Sequence, residues 1–413
     1  MCLCGYRGFE SHPLRQDPFP AASAGSLKLP HLGRVYAFGA AWMGVVVMPV
    51  YVPFLAARGL TVGEVLSLQA IYGVAVMLFE IPTGYICDVA GRRRTILVGA
   101  ALNLLGLIAF AAARGFAAYA ALELVLAAGW SLVSGADIAL IYDLLDREGA
   151  GRDARRRALA NYLLAQVLGE AAAALLGGML ASWSLATVGW ATAAEAVLPL
   201  LIAVALPGSR GGRGAVATPA GLPRAVGEVF HDATRRLLFA NMVCWGLATF
   251  IAVWLLQPYW QQQGVGLRWF GLLWAATLLT VGAVGRAAPA LTRRIGQRGA
   301  LLALTLAPIA AYAGMACLGG GPGVAFSFLF YVSRGLNSVN LKEAFNHEIP
   351  PHLRATINSV ASGAFRLCYA GIGPLVGLIV DRAGIDAALG SLAGLFTVAF
   401  ALLAVPLLRR TAD

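Results

Sequence analysis

Charge is the first thing this sequence lacks. Only 12% of its 413 residues are Asp, Glu, Lys or Arg, about half the share of an ordinary soluble domain. That shortage excludes a water-soluble globular chain. Acids are the scarcer sign, 20 against 31 basic residues. Histidine is rarer still: His12, His31, His231, His347 and His352 fall in tails or near helix ends. No Ser/His/Asp or metal-bound catalytic set stands out, so an enzyme is not expected. The cysteines (Cys2, Cys4, Cys87, Cys244, Cys317, Cys368) have no metal-ligand spacing, and Cys2-x-Cys4 is too short for a zinc pair. Neither metal nor cofactor is expected. No G-x-x-x-x-G-K-[ST] loop occurs, which disfavours nucleotide-driven pumping. Arg7 to Lys28 is polar and proline-containing, so no cleavable signal peptide is visible.

What is present is apolar. Hydrophobic residues make up 59% of the chain, and the mean hydropathy is +0.74. The 49 glycines suit helices packed closely in lipid. A net charge of +11 would point to nucleic acid in a soluble protein. Here the arginines border apolar runs, so membrane topology accounts for them and no nucleic-acid partner is expected.

About 20 apolar residues cross a bilayer. Twelve such spans are predicted, at 35–57, 62–86, 95–113, 116–143, 158–181, 183–206, 237–261, 267–291, 300–318, 322–346, 355–381 and 384–408. The Gly-, Pro- and Arg-rich stretch 207–236 divides them six and six and reads as a flexible cytoplasmic linker. The organisation is therefore a tail (1–34), a six-helix bundle (35–206), the linker, a second bundle (237–408) and a short tail (409–413). Within the first tail, Gly8-Phe9-Glu10-Ser11 is what a conserved transfer-RNA gene segment would encode. A true start downstream of it is expected. Arginines crowd one set of loops, including Arg92 to Arg94, Arg155 to Arg157, Arg293, Arg294 and Arg354. The other set carries only Arg58, Arg114, Arg268 and Arg382. This bias puts both termini in the cytoplasm, and the expected location is a bacterial inner membrane, crossed several times.

One loop organises the first bundle. Gly84-x-x-x-Asp88-x-x-Gly91-Arg92-Arg93 joins the second and third spans, with glycine supplying the freedom a tight re-entry needs. Pro289 to Arg298 occupies the matching place in the second bundle and keeps Gly296. Arg157-Ala-Leu-Ala-Asn161 and Arg354-Ala-Thr-Ile-Asn358 form a second echo. The loop resembles the cytoplasmic signature of the major facilitator superfamily, and the likeness extends over 35–408. That resemblance implies an all-α membrane protein of two pseudo-symmetric six-helix bundles, with a substrate site between them near the midplane. It also implies a cytoplasmic gate of Gly84, Asp88, Gly91, Arg92 and Arg93, with Asp143 pairing to Arg92 or Arg93.

Ionisable groups inside a bilayer are costly and are site candidates by default. The first bundle holds acids (Glu80, Glu123, Asp137, Glu170, Glu195) and the second holds bases (Arg286, Arg334, Lys342, Arg366), with Glu343 an exception. Acids are expected to face bases across a central cavity. Glu123 and Asp137 are expected to share one helix face with Ser134. Arg334, Asn337 and Asn340 give the tenth span a polar stripe. The substrate and coupling candidates are therefore Glu123, Asp137, Glu170, Arg334, Asn337, Asn340 and Arg366. Arg334 and Arg366 would contact an anionic or polar substrate group. Asp137, with Glu123 or Glu170, would carry a proton, because a carboxylate removed from water is less favoured in its charged form. Glu80 is assigned to the gate, Glu195 to a peripheral helix, and Arg286 to a snorkelling role. Lys342 and Glu343 are read as neutralising their neighbours. Trp254, Tyr259, Trp260, Trp269, Phe270 and Trp274 read foremost as an interfacial belt. Trp254 and Trp274 are deep enough to wall a pocket for an apolar or cationic substrate.

Two family motifs are altered. Many drug–proton antiporters carry an arginine four residues before a glycine in the fourth helix, and Val125 stands there before Gly129. Their fifth-helix Gly-Pro is alanine in Gly169-Glu-Ala-Ala-Ala-Ala-Leu-Leu-Gly177-Gly178. The expected function is alternating-access transport of a small organic solute by a proton-coupled monomer in the lipid bilayer. Efflux is favoured, with proton-symport uptake or a transport-inactive sensor as alternatives.

Overall fold

Two long helices joined within one residue need a backbone that turns at positive φ, and glycine does so without steric cost. The computed structural model describes residues 30–208, 227, 230–350 and 353–410. In it α3 (Val62–Ala90) stops at Gly91, φ 85° and ψ 148°, and α4 (Arg92–Ala112) starts at the next residue. The sequence echo carries the same device. Gly296, φ 74° and ψ 168°, bends the helical stretch Phe270–Leu318 (α11) into two limbs. A Cβ added at Gly296 meets nothing within 4 Å, so Gly296→Ala tests backbone strain alone. It should cost about 1–3 kcal/mol of unfolding stability. An unchanged denaturation midpoint would refute the parallel between the two turns.

The described residues form helices and no strands. The first half of the chain contains α1 (Pro30–Met43), α2 (Tyr51–Ala56), α3, α4, α5 (Phe116–Val133), α6 (Ala136–Arg147), α7 (Arg152–Ala181), α8 (Leu185–Glu195) and α9 (Val197–Val204). After the linker come α10 (Ala233–Gln262), α11, α12 (Gly320–Phe326), α13 (Leu329–Glu348), α14 (Arg354–Ala383), α15 (Ile385–Ala399) and α16 (Val405–Arg410). Local signals start several of these. Thr61 and Glu64 form a capping box on α3, and the Asp232 side chain caps α10. Among the described residues, ten stretches are long and apolar enough to cross a membrane. One of these, Leu267–Leu318, is two rods joined at Gly296. Gly320–Glu348 is a more polar helical stretch interrupted at Ser327 and Phe328, where the sequence predicted a further span. The proposed start site within the first tail and the linker residues 209–226 lie outside the described residues.

Three expectations change. The first span is broken: Gly44 to Val47 leave the α-helix between α1 and α2. The fourth span is also broken, because Gly135 adopts φ 86° between α5 and α6. Glu123 and Asp137 therefore sit on different helices and do not continue one helical face through Ser134. The expected aromatic belt is instead core. Trp254, Tyr259, Trp260, Phe270 and Trp274 are buried, and Trp269 alone of that group is exposed. Trp260 meets Phe270 edge-on, and the Tyr259 hydroxyl donates to the Met315 carbonyl at 2.9 Å.

The halves meet along two antiparallel helix pairs. In the first, a Cβ on Gly377 of α14 would stand 2.5 Å from the Gly63 Cα of α3. Along the same pair the Tyr369 hydroxyl points to the Leu66 carbonyl at 3.4 Å, and Met77 lies beside Gly363. In the second, Gly178 of α7 lies against the backbone of Gly271 in α11. Toward the Gly91 end of α3 the packing ceases: Ile81 is 79% exposed, and Tyr85 and Val89 are also open. The bundles are thus closed at the Gly63–Gly377 end and splayed at the Gly91 end.

Candidate functional site

Broken helices leave backbone groups without intrahelical partners, and a buried amide is suited to satisfy them. Gln257 of α10, fully buried, does this from the opposite half. Its Nε2 donates to the Met48 carbonyl at 2.8 Å, and its Oε1 accepts from the Val52 N–H at 2.9 Å. Asp381 acts nearby at the start of α3, accepting from Thr61 Oγ1 at 2.7 Å and from the Gly63 N–H. A carboxylate there also answers the positive end of the helix dipole. Both residues lock the closed end, and neither was singled out in the sequence. One signal was available for Gln257, an amide inside an aromatic, otherwise apolar run.

Deeper in the cleft, two charged or polar pairs bridge the halves. Arg366 Nη2 lies 3.2 Å from Glu80 Oε1, with Ser362 Oγ 3.5 Å from the Arg366 Nε. Glu80, assigned above to the gate, is in fact the acid that meets a base across the cleft. The reason is the antiparallel register of α3 against α14, which sets Gly73 and Glu80 on either side of Arg366. Glu170 of α7 accepts from the Trp274 Nε1–H of α11 at 3.2 Å. Arg334 lies on α13, with the buried Tyr331 one turn before it. Asn337 Oδ1 and Asn340 Nδ2 are buried without a hydrogen-bond partner. Asn340 Oδ1 accepts from Thr292 at 3.4 Å. These unsatisfied amide atoms carry a desolvation cost that a polar ligand would relieve.

Other candidates bond within the first half. Asp137, at the start of α6, accepts from the Tyr162 hydroxyl and from the Ile138 N–H. Glu123, 3% exposed, accepts from the Tyr51 hydroxyl at 2.6 Å, and Gln69 Nε2 donates to that hydroxyl at 3.0 Å. The expected opposition of all acids to all bases is therefore partial. Glu80 and Glu170 reach across, whereas Asp137 and Glu123 turn to tyrosines of their own bundle. Glu195 ends α8, with its Oε1 buried and unpartnered beside the unwound Gly44. Arg286 and Glu343 are exposed.

At the signature, Arg92 Nη1 binds Asp88 Oδ1 at 2.6 Å, and its Nε lies 3.8 Å from Asp143 Oδ2. Arg93 donates to the Val204 carbonyl at 2.5 Å. Gly91 makes the turn, and Gly84 lies within α3. These contacts tie α3, α4, α6 and α9 together inside the first half.

Comparisons with known proteins agree with this architecture. A family model described as Major Facilitator Superfamily matches residues 35–370. Among solved structures, a point mutant of the nucleoside transporter NupG superposes with a TM-score of 0.74 at 14% identity, covering 90% of this chain and 98% of that one. A mutant peptide transporter POT gives 0.68 at 17% identity, covering 92% and 94%. A POT family transporter in complex with 5-aminolevulinic acid gives 0.68 at 13% identity, covering 91% and 95%. No curated protein matches the chain. At such identities the structural likeness speaks for the fold alone. Together with the family match and the two-bundle cleft, it establishes that the chain belongs to the major facilitator superfamily.

Proposed function

We propose that this chain is a proton-coupled secondary transporter that exports a small organic solute by alternating access. The observation that carries the reading is the asymmetry of the cleft. It is sealed by backbone contact at Gly63–Gly377 and Gly178–Gly271 and open toward Gly91. Ionisable groups of both halves meet at mid-depth. The arginine distribution supports a cytoplasmic signature loop, and on that orientation we read this as an inward-facing state. In the outward-facing state the open end closes, and Asp88 and Arg92 then hold the two bundles together.

Arg366, held here by Glu80, and Arg334 are the groups that receive an anionic or polar part of the solute, with Asn337 and Asn340 beside them. Glu170 is the proton carrier that geometry favours. Coupling needs a group whose surroundings change as the halves rock, and Glu170 is bonded across their interface. Asp137 is bonded within one bundle. The neighbours named above transport nucleosides and peptides, so a polar solute of that size class fits the same fold. Symport uptake is the second reading, favoured by Val125 and by the alanines that replace the antiporter Gly-Pro.

The test is a thermal-shift screen of purified protein against small organic compounds, followed by flux of the hits in liposomes under an imposed pH gradient. Flux opposite to the proton gradient supports export, and flux along it supports uptake. Binding without any flux would reject transport in favour of a sensor.

A further inference from the structure

A buried carboxylate without a cationic partner is costly, and proteins seldom keep one without a use for it. The first half holds such a group beside a cavity. The space measures about 60 Å³, where a single water needs about 10–15 Å³. It lies apart from the Glu80–Arg366 and Glu170–Trp274 contacts. The rings of Tyr51, Tyr72, Phe110, Trp130 and Trp254 wall it. Glu123 supplies its charge, Gln69 and Asn103 its amides, and its lining contains no basic side chain. The Glu123 Oε1 is met by the neutral Tyr51 hydroxyl. Nothing in the wall neutralises a carboxylate, while aromatic faces attract cations.

The wall is also built from both halves. All of its residues but one belong to the first half; Trp254 is supplied by α10. The Trp254 ring packs against Tyr51 with centroids 5.4 Å apart, and its indole nitrogen is buried without a partner. Trp254 also stands one turn before Gln257, which clamps the unwound segment between α1 and α2. Separation of the halves at this end would withdraw the lid and the clamp together.

We propose that this cavity is a subsite for the ammonium head of a small organic cation, with Glu123 as counter-ion and Trp254 as a lid carried by the second half. This deepens the transport reading by naming a substrate class. A cation seated there would be enclosed when the Gly63–Gly377 end closes and exposed when it opens.

The experiment titrates methylammonium and choline into the purified full-length protein and follows tryptophan fluorescence, which Trp130 and Trp254 report. A neutral analogue of choline, with a tert-butyl group in place of trimethylammonium, is titrated in parallel. At least one cation should give a saturable change, with the analogue and the Glu123→Gln variant each at least tenfold weaker. The subsite is overturned if neither cation saturates, if the analogue binds as well as choline, or if Glu123→Gln binds unchanged. The analogue comparison uses the unaltered protein, so the test survives a variant that does not fold. Flux of the bound cation in liposomes is measured separately. Binding without flux would reject the transport reading and leave the subsite standing; flux of other solutes without cation binding would do the reverse.

Discussion

Gly377→Val should leave a folded carrier that cannot close its Asp381 end, and solute accumulation should fall more than tenfold. The reason is the absence of room. A Cβ at residue 377 would already stand 2.5 Å from the Gly63 Cα, where an ordinary carbon contact needs about 3.5–4.0 Å. The obstructing atom is backbone, so no rotamer change relieves the clash. Overpacking of this kind costs about 1–3 kcal/mol, and every 1.4 kcal/mol changes a population ratio about tenfold. The strain falls only on the state with this end closed, so the balance shifts toward the other state. Gly271→Val on the second helix pair should behave alike, because its Cβ would run into the Ala174 carbonyl. The check combines liposome flux with alkylation of a cysteine placed at Ser67, on the closed part of α3. Faster alkylation with slower flux is the expected pair of results. Unchanged flux and labelling in both variants would mean that the glycine contacts do not form a gate.

The second large effect concerns coupling. Glu170→Gln should abolish pH-driven accumulation while sparing exchange of labelled for unlabelled solute. Glutamine keeps an oxygen to accept the Trp274 N–H, so the contact between α7 and α11 survives. What disappears is the proton that the carboxylate can take up and release. One pH unit across the membrane supplies about 1.4 kcal/mol per proton, enough for roughly tenfold accumulation by an intact carrier. The variant should show none. Asp137→Asn, altered inside one bundle, serves as the comparison. Its expected outcome is a loss of stability with the gradient response retained. If Asp137→Asn uncouples and Glu170→Gln does not, the proton path runs through the first bundle instead of the interface.

Much of the architecture was legible in the residues. Apolar runs of bilayer length, arginines gathered on alternate loops and Gly91 with its echo Gly296 announced two bundles of helices. These signals are local, since a span or a turn depends on a short stretch of chain and its solvent. The Asp88–Arg92 pair was readable for the same reason, being four residues apart at one turn, whereas Asp143 was brought to Arg92 only by the family resemblance. The site was less legible. Periodicity carried Glu123 and Asp137 onto one face, and the break at Gly135 removed that face. Glu80, near the signature in sequence, found its partner in Arg366 only because α14 runs antiparallel to α3. Gln257 gained its role from an unwound segment two hundred residues away.

The sequence by itself determined that this chain lives in lipid, folds as helices and turns tightly at two related glycines. Hydrophobicity, charge bias and backbone freedom are properties of residue types and need no partner. Only the tertiary structure decided which buried acids meet bases, which end of the cleft is shut and where a carboxylate is left among aromatic rings. Those outcomes depend on the register between helices far apart in the chain, which is set by packing the whole molecule at once.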